Sequence, residues 1–217
     1  MRFERLDEAI AFVNQTGYGL TSGLQSLDER EHAQWKAGIH AGNLYLNRGT
    51  TGAVVLRQPF GGMGKSCFGP GLKAGGPNYV AQFMRFEEAQ GAKPADKPVA
   101  NANLEELRRA VLVLANDEGR MTNGGTNAPA PAHSSFVIRH SDLIRASSRR
   151  LLRAISSYDY WWREEFSREH DHFRLLGQDN FRRYLPFGVI RVRVASQDTL
   201  FDIFARACAA RVTGARV

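Results

Sequence analysis

The chain is 217 residues long, 43% hydrophobic and 24% charged, which is room for one large domain or two small ones with a buried core. Cys67 and Cys208 stand far apart and outside any Cys-x-x-Cys pair, so the sequence suggests neither a disulfide framework nor a zinc site, and a reducing cytoplasm fits. No apolar run approaches the roughly 18 residues of a membrane helix, and Met1-Arg2-Phe3-Glu4-Arg5 lacks a signal-peptide core.

The net charge of +7 is uneven. Residues 1–88 hold nine Lys and Arg against eight Asp and Glu, a net of +1, and residues 89–217 hold twenty against fourteen, a net of +6. A basic half raises nucleic acid as a partner, but no nucleic-acid module motif accompanies it.

In chain order, residues 6–16 read as an amphipathic helix, with Ala9, Ile10 and Val13 at helical spacing and Asp7 and Glu8 near its positive end. Gly17 ends it. Residues 20–26 read as extended. Asp28 with Glu31 then forms a capping-box-like start to a helix running through Trp35 to Gly38. Residues 42–47 and 53–56 read as strands, and helices alternating with strands give an α/β fold.

Residues 58–83 are the stretch the rest is organised around, with seven glycines between Gly61 and Gly76. Each glycine costs about 1 kcal/mol against alanine in a helix, so this density predicts a loop. Glycine loops bring backbone N–H groups close to a ligand that a side chain would block, and an anion fits such donors. Three readings are open. Gly61-Gly62-Met63-Gly64-Lys65-Ser66 invites comparison with a phosphate-binding loop, but that motif requires glycine where this chain has Pro59, and a helix where it has Cys67-Phe68-Gly69-Pro70-Gly71. A glycine-rich structural turn with Phe83 in the core is the second. The third, a carboxylate anchor with Phe83 as an apolar wall, rests on a family resemblance carried by this loop and the residues around it.

A polar linker spans residues 89–102. Asn103, with Glu106 three residues on, caps a helix that turns Leu104, Leu107, Val111 and Leu114 to one face, and a strand over 110–115 is the alternative. Residues 117–135 read as loop. From Ser141 the chain is helical, with Leu143, Ile144, Leu151, Leu152 and Ile155 facing a core. Tyr158, Tyr160, Trp161 and Trp162 at its end are the kind of residue that packs a domain interface. Arg145, Arg149 and Arg153 form a basic stripe, read as a solvated or interdomain face. Glu169-His170-Asp171-His172 has ligand-type residues, but His-x-His on a polar segment reads as surface. Residues 187–214 have the order of a nucleotide-fold βα unit. Ile190, Val192 and Val194 alternate in a strand, a helix runs over 200–211 from a cap near Asp198, and Gly214 closes it.

Asn43-Leu44-Tyr45-Leu46-Asn47-Arg48, Gln58-Pro59-Phe60-Gly61-Gly62, Gly69-Pro70 and Lys73-Ala74-Gly75-Gly76-Pro77-Asn78-Tyr79 together resemble the C-terminal part of the aldehyde dehydrogenase superfamily. The Lys-Ala-Gly-Gly-Pro run narrows the resemblance to 1-pyrroline-5-carboxylate (L-glutamate γ-semialdehyde) dehydrogenase. That resemblance implies a substrate-carboxylate anchor at the backbone N–H groups of Gly75 and Gly76, an aromatic wall at Phe83, and NAD as the complete enzyme's cofactor. Residues 167–186, with Gly177-Gln178-Asp179-Asn180 and Arg183-Tyr184-Leu185-Pro186, are similar to the non-catalytic aldehyde-dehydrogenase-like domain of long proline utilisation A proteins, a domain implicated in assembly.

The family's chemistry needs a cysteine nucleophile, a glutamate base, an oxyanion site and a bound nicotinamide, and the motifs around these are not found in the chain. Cys67 reads as a substitution in the glycine loop and Cys208 as a small buried helix residue. The expected organisation is the last part of an aldehyde dehydrogenase catalytic domain over 1–88, a linker with one helix or strand over 89–140, and the first βα unit of a Rossmann-like accessory domain within 141–217. The expected chain is a catalytically silent portion of a cytoplasmic dehydrogenase that oxidises L-glutamate γ-semialdehyde, with no catalytic, cofactor or metal residue of its own. The alternative is a non-catalytic module associating with a separate dehydrogenase chain. Homo-oligomerisation or such a partner chain is expected, and neither nucleic acid nor membrane.

Overall fold

A computed structural model describes residues 2–51, 57–69, 72–87, 99–117 and 134–217, with 114–117 and 134–145 described by backbone alone. The chain divides into two compact units: Met1–Glu87 with His170–Arg182, and Glu88–Glu169 with Arg183–Val217. The expected strand over 53–56 lies outside the described residues, as does most of the loop expected over 117–135.

The first unit begins with α1, Leu6–Asn14, after which Gly17 takes φ 69°. Next come β1, Tyr18–Gly19, and β2, Thr21–Leu24. Helix α2, Glu29–Gly38, and β3, Asn43–Leu46, follow. β2 and β3 pair in parallel from Thr21 opposite Asn43 to Leu24 opposite Leu46, so β2-α2-β3 is a crossover unit. Ile10 of α1 packs with Trp35 of α2 and with Ile39, and Leu6, Leu24, Leu44 and Leu46 close around them.

Asp28 does cap α2, accepting from the Arg30 N–H at 2.8 Å, but the reciprocal half of the expected capping box is rerouted. The Asp28 N–H donates to the Ser26 hydroxyl, and that hydroxyl donates to Glu31. A serine two residues upstream reaches the cap N–H first, so the glutamate engages the serine instead.

The stretch 58–83 is mostly irregular, as its glycines predict. It nonetheless contributes β4, Met63–Gly64, antiparallel to β1, and a 3₁₀ turn at Val80–Phe83. The segment His170–Arg182 closes on an antiparallel bridge between its end residues. Inside it the Asp171 carboxylate accepts the N–H groups of Arg174, Asn180 and Phe173, and these bonds hold it below the usual carboxylate range. Gln58 Nε2 donates to Asn180 Oδ1 at 3.3 Å.

The second unit is helical. Helix α3 spans Ala102–Asp117, which settles residues 110–115 as helix, and α4 spans Ser134–Trp161, longer than the helix expected from Ser141. A π-helical turn, Trp162–Phe166, extends α4, and α5 is Leu200–Val212. Leu104 and Val111 of α3, Leu151, Leu152 and Ile155 of α4, and Ala205, Cys208 and Val212 of α5 form one core, with Leu104 and Ile155 fully buried.

The cap of α3 is Asn101, not Asn103. Its Oδ1 accepts the N–H groups of Asn103 and Leu104. Its Nδ2 donates to the Val212 carbonyl at the end of α5, and its backbone N–H donates to the buried Asp159 of α4 at 2.9 Å. One asparagine therefore ties three helices, a demand Asn103 inside the first turn cannot meet. The cap of α5 lies near Asp198 as expected, at Thr199: Thr199 and Asp202 form a reciprocal capping box, while Asp198 accepts from Arg206 and the Ala195 N–H. Gly214, at φ 84°, closes α5 as its position predicts.

The strand expected at Ile190, Val192 and Val194 does not form. Val189 makes a single parallel bridge with Arg216, through bonds from the Ile190 N–H to the Arg216 carbonyl and from the Arg216 N–H to the Gly188 carbonyl. Beyond it no neighbour among the described residues continues the ladder, and alternation without a partner does not make a strand.

Ile155→Ala should destabilise the second unit by about 2–5 kcal/mol through the cavity it leaves, read as a lowered denaturant midpoint.

Candidate functional site

The glycine loop is built by backbone meeting backbone. Phe60 and Ala74 exchange both N–H···O bonds at 2.9 Å, folding the loop back on itself. Asn43, buried at the start of β3, holds both sides of Phe60: its Nδ2 donates to the Pro59 carbonyl and its Oδ1 accepts the Gly61 N–H, each at 3.2 Å. A Cβ on Gly42 would collide with the Gly61 carbonyl, so only glycine lets β3 approach the loop this closely. The Lys73 ammonium donates to the carbonyls of Gly42 and Gly61, both at 2.6 Å. Burial pulls its pKa down to about 8, with Cys67 opposing that shift.

Beyond Lys73 the chain makes a tight turn, in which the Gly76 N–H donates to the Lys73 carbonyl at 3.0 Å with Gly75 at φ 74°. Positive φ at the third residue is the signature of a type II turn, and it is why glycine stands at 75. The structure therefore separates the two N–H groups that the sequence pairs. The Gly76 N–H is used by the turn, whereas the Gly75 N–H has no hydrogen-bond partner among the described residues. Phe83 follows on the 3₁₀ turn, 76% exposed and edge-on to Tyr79 at 6.1 Å, so it is no core residue of this unit. Gly75, Gly76 and Phe83 thus lie on one short, anchored stretch.

The phosphate-loop comparison fails on geometry. Lys65 donates from Nζ to the Thr16 carbonyl at 3.0 Å and lies over the Tyr18 ring, and Met63–Gly64 is strand with no helix following it. Cys208 is buried and its thiol is pushed up to about 11, out of range for a nucleophile near neutral pH. Cys67 donates from Sγ to the Gly64 carbonyl. The His170 and His172 rings stack 5.5 Å apart, and His172 Nε2 meets the Arg182 guanidinium at 3.1 Å, a cation where a metal would need a free nitrogen. Arg149 is exposed and Arg150 covers the Phe201 ring at 4.0 Å, while the side chain of Arg145 lies outside the described residues.

Among the described residues, the starts of α2 and α5 do not suit a dinucleotide's pyrophosphate. The α2 start of the β2-α2-β3 unit is filled by Asp28, Glu29 and Glu31, and the α5 start by Asp198 and Asp202; carboxylates there repel a pyrophosphate. The second unit has an apolar cleft of about 300 Å³ among Trp161, Trp162, Phe166, Tyr184, Phe187 and Val212, lined by no charged side chain.

Two site residues were missed in the sequence, Asn43 and Lys73. The signal for Lys73 was available: a lysine among small residues with no acid nearby has its charge to settle on backbone.

Residues 1–88 match the family model described as "Aldehyde dehydrogenase family". Among curated proteins, the chain is 46% identical over 156 residues to the bifunctional protein PutA of Escherichia coli (strain K12), covering 70% of this chain and 11% of that one. It is 49% identical over 80 residues to the 1-pyrroline-5-carboxylate dehydrogenase of Bacillus mycoides (strain KBAB4), covering 36% of this chain and 15% of that one. Among solved structures, proline utilization A (PutA) from Corynebacterium freiburgense superposes with a TM-score of 0.67 at 33% identity, covering 100% of this chain and 18% of that one. The chain spans less than a fifth of each of these relatives. Among the described residues no helix is long and apolar enough to cross a membrane.

Two outcomes follow from the loop. Gly75→Ala, forced into positive φ, should cost about 1–2 kcal/mol in chemical unfolding of the first unit. Because the folded Lys73 binds its proton more weakly than the unfolded chain does, stability should rise with pH between about 8 and the ordinary lysine value. Thermal midpoints across that window, with Lys73→Met as the flat reference, read the effect.

Proposed function

We propose that the first unit is the substrate-carboxylate seat of a 1-pyrroline-5-carboxylate dehydrogenase, the class of enzyme that oxidises L-glutamate γ-semialdehyde to glutamate. The observation that carries this reading is the Gly75 turn. It presents a backbone N–H without a partner among the described residues, on a loop tied to β3, in the stretch that matches the aldehyde dehydrogenase family. In the proposed role the Gly75 N–H donates to the α-carboxylate, Gly76 leaves room for it, and Phe83 covers the aliphatic stem.

Oxidation of the aldehyde requires a hydride acceptor, which the resemblance gives as NAD. Neither helix start described above fits that cofactor, so nucleophile and cofactor site belong, in this reading, to chain outside these 217 residues. Purified alone, the chain is expected to form no NADH from the semialdehyde. The cytoplasmic setting and an oligomeric assembly belong to the same proposal.

A second reading, an assembly module completing a separate dehydrogenase chain, is favoured by the exposed apolar side chains of the first unit, among them Phe68, Phe83 and Phe86. Co-purification with a tagged dehydrogenase polypeptide of the same cell would support it, and absence of any such complex would remove it.

The carboxylate seat is tested by thermal unfolding with increasing L-glutamate, set against L-isoglutamine, in which the α-carboxylate is an amide. The expected result is a midpoint that climbs with glutamate and not with isoglutamine, since a ligand stabilises the state that binds it. Equal shifts, or none, would overturn the reading.

A further inference from the structure

Buried cations are normally paired with carboxylates, because an uncompensated charge in a low-dielectric site is expensive. Lys73, partly buried, breaks that pattern. Among the described residues no carboxylate lies within ion-pair distance of it, and both hydrogen bonds from its ammonium end on main-chain carbonyls. Those two carbonyls come from different elements, Gly42 at the entry to β3 and Gly61 in the glycine loop. The backbone of Lys73 is also committed: its carbonyl accepts the Gly76 N–H, and its neighbour Ala74 bridges Phe60.

We infer that Lys73 is a positioning residue for ligand binding at the Gly75 turn, acting as the clamp that fixes this turn relative to β3. The inference rests on the proposed carboxylate seat and deepens it. Three observations carry it. The side chain spans the gap that the glycines leave, since a Cβ on Gly42 would meet Lys73 Nζ at 2.8 Å. The turn that exposes the Gly75 N–H is closed by the carbonyl of this same residue, so moving Lys73 moves the donor. The other support of the loop, Asn43, grips Pro59 and Gly61 only, leaving Lys73 as the side chain that links the Gly75 turn to β3 among the described residues. Its charge, paired with no acid among the described residues, also gives the loop the sign that an anionic ligand requires.

Losing a well-placed hydrogen bond to a charged ligand group lowers affinity about 10- to 100-fold. Lys73→Met keeps the stem length and removes the donors and the charge. Measured by calorimetric titration of L-glutamate into the purified chain, it should weaken binding roughly 10- to 100-fold. Lys73→Arg, which keeps a charge and two donors, should recover most of that loss. Ile10→Val, in the core of the same unit and away from the loop, is the stability control: it should lower the ligand-free thermal midpoint and leave glutamate affinity unchanged. If Lys73→Met lowers the midpoint but binds glutamate as the wild type does, the residue is merely structural and the inference is wrong. If Lys73→Met does not fold, Lys73→Arg decides: near-normal affinity supports the clamp, and a folded Lys73→Arg with no recovered binding overturns it. If the wild-type chain does not bind glutamate at all, the carboxylate seat itself is wrong, and the inference falls with it.

Discussion

Main chain packed directly on main chain is the constraint on which the first unit depends. Gly42 and Gly61 touch where no side chain fits, and Gly19 meets the His40 carbonyl and Gly62 the Ser66 carbonyl in the same manner. Such contacts bury peptide groups whose hydrogen bonds must be met locally. The Phe60 and Ala74 bridge, the Asn43 side chain and the Lys73 ammonium meet them. The glycines are therefore not slack in the chain: they are the condition for a close fit, and the loop they permit is held at several points.

The second unit solves a different problem. Helices α3, α4 and α5 share one apolar core, but their relative placement is fixed by a polar junction at Asn101, which caps α3, binds the last carbonyl of α5 and donates to Asp159 of α4. Asp159 is buried and also accepts from Arg163, so its charge is compensated within its own helix. A junction of this kind specifies geometry where apolar packing alone tolerates several.

What the sequence disclosed follows from the range of the interactions involved. Helices α1, α2, α3 and α5 were legible because their apolar spacing and end residues are local. At the caps, Asn101 stands for the expected Asn103, a shift of two residues, and the cap expected near Asp198 is its neighbour Thr199. That shift was decided by where the neighbouring helix placed its carbonyl or carboxylate. The expected strand at 190–194 failed because strand pairing is not local, and among the described residues only Arg216 bridges Val189. The tie between Gln58 and Asn180, 122 residues apart, could not be read from spacing at all. In the candidate site, the glycine turn was legible from its composition, while the roles given to Gly75, Gly76 and Phe83 rest on resemblance. The unequal state of the two glycine N–H groups was not legible, because it depends on the sign of one φ angle.

The account stands on the Gly75 N–H as the donor that receives an anionic ligand. The most direct measurement is a titration of L-glutamate into chain labelled with ¹⁵N-glycine, followed by amide proton and nitrogen shifts, with the Gly75 resonance assigned by its loss in Gly75→Ala. The account predicts a saturable downfield movement of the Gly75 amide proton, with Gly76, already bonded within the turn, moving less. A Gly75 resonance that stays in place while glycines elsewhere respond would contradict it.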